Sequence, residues 1–131
     1  MSAGGGELRP GIGHEHEFVA EGLLLTDVGG TLGASVLSTP GMIAMIELTA
    51  ATLVQPLLPE GSATVGFEVC VKHVAAAGEG SRCVATARLE DVVDGRKLRF
   101  AVEVREGERT IGVGTHERRV IRPPEPPAAA A

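Results

Sequence analysis

The stretch from residue 38 to residue 58, STPGMIAMIELTAATLVQPLL, is apolar on every side of a helical wheel and holds one ionisable group, Glu47. Ser38 or Thr39 can cap its amino end with a side-chain oxygen, Pro40 suits a first helical turn, and Pro56 ends regular helix near Gln55. Thr49, Thr52 and Gln55 are the other polar positions, too few for a water-facing side. The pattern predicts a buried helix wrapped by the rest of the fold. A lone carboxylate there is costly without a partner, because burial penalises its charge. Glu47 therefore either lies on an exposed patch that the pattern misses or is kept for chemistry.

After the helix the period changes from helical to two. Over residues 64–73, Val65, Phe67, Val69 and Val71 alternate with Gly66, Glu68, Cys70 and Lys72, and His73 continues the apolar set. If that set covers the helix, His73 points toward the same interior as Glu47. Strands are also predicted over 11–20, 82–90, 98–104 and 110–121, with turns over 75–80, at Asp94 and Gly95, and over 106–108. Gly112 and Gly114 in the last strand imply a bulge or a close backbone approach. A hairpin between the 64–73 and 82–90 strands would set Cys70 roughly opposite Cys83. With no secretory signal pattern at the start of the chain, both are expected as free thiols in a reducing cytoplasm.

The order of strand, loop, long helix and four antiparallel strands predicts an α+β fold with the sheet curled around the helix. The 131 residues suit one core that buries roughly two thirds of the unfolded surface, a single domain over 11–121. Residues 1–10 read as a flexible leader, and residues 122–131, dominated by Pro and Ala, as a disordered tail. One helix cannot cover both faces of such a sheet, so edges and an outer face remain for self-association.

Composition narrows the function. The net charge is −5, and eleven of the twelve Lys and Arg residues lie after Val71, interleaved with nine acids. They could meet a phosphorylated ligand locally, but no run is dense enough for nucleic acid, and the absence of Trp and Tyr removes most stacking platforms for bases. The 38–58 stretch approaches membrane-span length, yet Glu47 at its middle, Pro56 near its end and the following strands count against a membrane partner. His14 and His16 share a strand face and could hold a metal. With no third ligand nearby, no metal is expected, and solvent-facing strand residues are the plainer account. Residues 26–33, TDVGGTLG, form a glycine-rich loop without the spacing of a phosphate-binding loop.

Three segments carry a family resemblance: TPGMIAMIE, with Thr39 and Glu47 eight positions apart; GFEVCVKHVAA, with Gly66 and His73; and the closing GVGTHERRVI, with Arg118. Together, over about residues 11–121, they resemble the hotdog-fold acyl-CoA thioesterases, and within them the fluoroacetyl-CoA thioesterase group. The resemblance implies a homodimer of curled sheets around central helices, with thioester sites between subunits, coenzyme A phosphates near the mouth, and no cofactor. By position it implies catalytic roles for Thr39, Glu47 and His73 and supporting roles for Gly66 and Arg118.

The chemistry suits these residue types. Thioester hydrolysis needs an attacking oxygen, a stabiliser for the oxyanion and a proton for the thiolate. Glu47 can deprotonate water or attack directly to give a mixed anhydride. Thr39 can hydrogen-bond the carboxylate or the water, or simply cap the helix. His73 can orient Glu47, relay a proton or protonate the thiolate, or else serve as a satisfied core histidine. Gly66 can offer its N–H to the carbonyl oxygen or mark a bulge, and Arg118 can orient Glu47 or meet a phosphate. The fluoroacetyl-selective relative has bulky aromatic lid side chains before the helix, whereas residues 27–37, DVGGTLGASVL, hold none. That difference points to another short or medium acyl group. A hydratase or dehydratase acting on an acyl thioester, and a non-catalytic acyl-CoA-binding module, are the other classes this fold would accommodate.

Overall fold

The computed structural model describes residues 6–124. Ser38 takes the cap of α1 (Thr39–Val54): its Oγ accepts from the Gly41 N–H at 2.9 Å, and Pro40 occupies the first turn. Regular helix stops at Val54, where Pro56 enters a 3-10 turn over Gln55–Leu57. Met42, Met45, Ile46, Ala50 and Val54 are fully buried, but α1 is not enclosed on all sides as its composition predicts. Ala44, Leu48 and Thr52, spaced four apart, form an exposed stripe. The apolar stripe is therefore a surface of the single chain. Thr39–Leu57 also has the length and composition of a membrane span, although it packs on a sheet here.

That sheet has five strands, all antiparallel: β1 (Gly13–Val19), β4 (Ala63–His73), β5 (Arg82–Val93), β6 (Lys97–Glu106) and β7 (Arg109–Ile121), in the order β1-β5-β6-β7-β4. A small ribbon, β2 (Leu25–Thr26) and β3 (Val36–Leu37), brackets the loop before α1. Cys83, Ala85, Ala87, Leu89, Leu98, Phe100, Val102 and Val104 alternate inward from β5 and β6 to build the core under the helix. Asp94 and Gly95, both at positive φ, make the tight β5–β6 turn.

Two expectations fail for topological reasons. The strands β4 and β5 form no hairpin, because the β6–β7 hairpin lies between them and β4 pairs with β7 on the far edge. Residues 74–81 instead cross the end of that hairpin, tied by Val74 and Ala75 N–H groups to the Ile111 carbonyl. Cys70 thus lies opposite Thr115 and Cys83 opposite Phe18, and both are free, Cys70 exposed and Cys83 buried. Burial pushes the Cys83 thiol above its usual pKa, which makes it less reactive.

The second correction concerns the face of β4. The register against β7 shifts between Gly66 and Glu68, so Phe67 is an extra, bulged residue. The inward set is consequently Gly66, Val69, Val71 and His73, while Val65 and Phe67 turn outward at 45% and 59% exposure. Phe67 lies under the Arg119 guanidinium on that outer face, 3.6 Å from its ring centroid. Simple alternation had placed Val65 and Phe67 with Val69. The bulge reverses the parity and turns Gly66 toward the helix.

Leu8 and Ile12 pack on the core, and the Gly11 N–H donates to the Leu89 carbonyl at 2.8 Å. Residues 1–5 of the leader expected over 1–10, and residues 125–131 of the tail expected over 122–131, lie outside the described residues. His14 and His16 are half-buried: they lie opposite Ala87 and Ala85, on the helix side of the β1 edge, and His16 stacks on Phe18 at 4.5 Å. No group of three possible metal ligands occurs among the described residues.

Candidate active site

The five residues singled out by sequence fall into two clusters. In the first, the amino end of α1 meets the last residue of β4: Thr39 Oγ1 lies 2.9 Å from His73 Nδ1. Because Ser38 is the cap, the Thr39 hydroxyl is released for this contact. His73 Nε2 is buried and has no hydrogen-bond partner among the described residues, a situation that ordinarily costs about 1–3 kcal/mol. The pair opens on a groove of about 390 Å³ walled by Thr26, Val28, Val36 and residues 74–76. Asp27 Oδ1 and Thr26 Oγ1 hold the loop above it in tight turns by accepting from Gly30 and Val28 N–H groups. Val28 adopts φ +53°, a left-handed conformation that a β-branched residue rarely takes.

The second cluster surrounds Glu47. Its Oε2 accepts from Arg118 Nη1 at 3.4 Å, and a Cβ built on Gly66 would collide with that same oxygen. Gly66 is thus a space requirement of the carboxylate. Arg118 is 7% exposed, which suits it to orienting Glu47 and not to gripping a phosphate. Thr64 holds the guanidinium twice, through Oγ1 to Nε at 2.8 Å and through its carbonyl to Nη2 at 3.0 Å. Burial lowers the Arg118 pKa, and Glu47 acts in the opposite direction; an arginine stays a cation in either case. The Glu47 side chain is 41% exposed, so the carboxylate is partnered on one side and open on the other.

Within one chain the clusters do not meet. Thr39 and Glu47 are eight positions apart on a straight helix, about 12 Å along its axis. His116, which sequence reasoning passed over, belongs to the second cluster and lies two positions from Arg118 on the inward face of β7. The signal was available: two polar residues at successive inward positions of a strand imply a buried network.

Comparison with known proteins places this geometry. Residues 19–123 match the family described as fluoroacetyl-CoA-specific thioesterase. The chain belongs to this family. The fluoroacetyl-CoA thioesterase of Streptantibioticus cattleyicolor is 37% identical over 86 residues, 66% of this chain and 61% of that protein. The matched region therefore spans under two thirds of that relative's length. A crystal structure of a fluoroacetyl-CoA thioesterase superposes with a TM-score of 0.79 at 30% identity, covering 89% of this chain and 90% of the other. A Thermus thermophilus hypothetical protein of the thioesterase superfamily gives 0.77 at 27%, covering 87% and 84%. The family is one of hotdog-fold thioester hydrolases, and the single helix against the antiparallel sheet is that fold. Other structures of the fluoroacetyl-CoA thioesterase contain fluoroacetate with CoA, or acetyl-CoA.

Proposed function

We propose that the protein hydrolyses a short or medium acyl-CoA to the free acid and coenzyme A, with Glu47 supplying the attack and Thr39 and His73 assisting. The observation that carries this reading is the Glu47 carboxylate, fixed by a buried arginine on one side and kept clear by Gly66 on the other. As base, it takes a proton from water. The hydroxide adds to the thioester carbon, the Gly66 N–H donates to the oxyanion, and collapse expels the thiolate, protonated through His73. As nucleophile, it forms a mixed anhydride that water then opens. Single turnover in ¹⁸O-water separates general-base attack from an anhydride that water opens at the Glu47 carboxyl carbon, since only the latter transfers enzyme oxygen to the acid.

The active unit in this reading is a homodimer. The strand β4 is an unpaired edge that carries Gly66 and His73 on its inward side. A second copy added antiparallel about a two-fold axis at Cys70, with Phe67 bulged out of the pairing, puts Gly66 opposite the partner's His73. Each site then joins Thr39 and His73 of one chain to Glu47, Gly66 and Arg118 of the other, and the buried His73 Nε2 gains a partner. Light scattering at micromolar concentration is expected to give twice the chain mass, and a monomer with full activity would overturn the shared site.

The groove favours acyl groups smaller or less shaped than an aromatic lid would select, since Val28 and Val36 are its bulkiest lid-side walls. Thiol release is expected from at least one of acetyl-, propionyl-, butyryl- and hexanoyl-CoA, without a strong preference for fluoroacetyl-CoA over acetyl-CoA. No release from any of these esters, with binding retained, would instead favour a hydratase or a binding module.

A further inference from the structure

The inward positions of β7 run Gly112, Gly114, His116, Arg118, and His116 is 2% exposed with its ring stacked on Phe100 at 6.0 Å. Its Nδ1 lies 2.8 Å from the Glu68 carbonyl oxygen. A carbonyl only accepts, so Nδ1 carries the hydrogen and Nε2 of the neutral ring is an acceptor. Arg118 Nη1 donates to it at 3.3 Å. The same Nη1 donates to Glu47 Oε2, and its two N–H bonds are thereby divided between the histidine and the carboxylate. Thr64 anchors the other two nitrogens of the guanidinium.

The bulge is what makes this chain of contacts possible. With Phe67 displaced outward, the Glu68 carbonyl is available to the His116 ring and thereby selects its tautomer. We propose that His116 is a positioning residue for hydrolysis: held in one tautomer by the Glu68 carbonyl, it fixes Arg118 Nη1 and through it the orientation of the Glu47 carboxylate. Burial, with Arg118 adding to it, holds the ring below the usual histidine pKa, which keeps Nε2 free to accept. The proposal rests on the reading in which Glu47 performs the attack.

The alternative role for a buried, stacked histidine is packing alone. His116→Phe keeps the stack on Phe100 but offers no acceptor. His116→Gln reaches Arg118 with an amide oxygen, and His116→Asn is equally polar but too short. In the full chain, His116→Phe is expected to lower kcat about 10- to 100-fold, the scale of a small misplacement of a reacting group. KM should stay within about twofold, as expected for an interaction felt mainly in the transition state. His116→Gln should recover most of the rate and His116→Asn should not. Added to Glu47→Gln, His116→Phe should cost nothing further, because the residue acts through Glu47. A native kcat for His116→Phe beside an inactive Glu47→Gln would overturn the positioning role alone, as would a full additional loss in the double variant. Full turnover by Glu47→Gln would overturn the attack by Glu47 and the positioning role with it. Should His116→Phe fail to fold, equal rates for the Gln and Asn variants would overturn the proposal, and at least a tenfold advantage for Gln would support it.

Discussion

Glu47→Gln leaves a folded protein whose thiol release from acyl-CoA falls on the order of 10²- to 10⁴-fold, the usual worth of a positioned general base. Glutamine fills the same volume and can still accept from Arg118 Nη1, but it can neither take a proton from water nor attack as an anion. The cost in stability is small by comparison. The Glu47–Arg118 pair is 3.4 Å long and the carboxylate is 41% exposed, so solvent already screens it, and pairs of this sort contribute about 1 kcal/mol or less. Arg118 is the more buried partner and keeps both contacts to Thr64. A melting curve within a few degrees of native, beside a thiol assay near background, is the expected combination. An unaltered rate would remove Glu47 from the chemistry.

Gly114→Ala has the largest expected effect on stability. On β7, between β6 and β4, a Cβ at this position would strike the Cys70 carbonyl and come within 2.6 Å of Val71 Cα. Both are backbone atoms of β4, so relief requires moving the strand. Overfilling of this kind costs about 1–3 kcal/mol, against a total stability of roughly 5–15 kcal/mol for a domain. Thermal melts should show a fall of several degrees for each kcal/mol. Gly112→Ala provides the control. Its Cβ would meet the Met42 thioether, the far end of a flexible side chain that can swing aside, and its loss should be less than half as large. Equal melting temperatures for Gly114→Ala and the native protein would show that β4 yields freely at that point.

Much of this was legible in the chain. The apolar run with Ser38, Pro40 and Pro56 defined α1 to within a few residues, because capping and proline chemistry act locally. Period-two alternation marked β4 and β6, a mixed alternation marked β1, and flanking turns placed β5 and β7. What alternation does not encode is an insertion. At Phe67 one extra residue reverses the parity of β4, and the composition of the strand looks the same on either side. Strand neighbours were illegible for a related reason: residues 75–80 read as a turn, and their length does not reveal that a later hairpin lies between β4 and β5.

The candidate residues Thr39, Glu47, Gly66, His73 and Arg118 were legible as residue types at spacings that resemble a family's. Helix rise alone separates Thr39 from Glu47, while the pairing of His73 with the first and of Gly66 and Arg118 with the second is seen only in the structure. Two further details required coordinates. Which of Ser38 and Thr39 caps α1 depends on backbone geometry at the junction, and Ser38 takes the role. The link from the Glu68 carbonyl through His116 to Arg118 depends on the bulge, so it could not be found by reading alternation on either strand.

The two borders of the sheet are built for opposite ends. Along β1 the outward positions carry Glu15 and Glu17, and the strand is seven residues long. Along β4 they carry Val65, Phe67 and Cys70 beside one acid, Glu68, and one base, Lys72, and the strand is eleven residues long. A long border with charges of both signs admits an added copy of itself, while a short acidic one discourages it. Two copies joined through β4 leave only their β1 borders, which confront any third copy with like charge. In the homodimer proposed above, the sheet would therefore grow once and then stop, at a closed assembly and not a fibre.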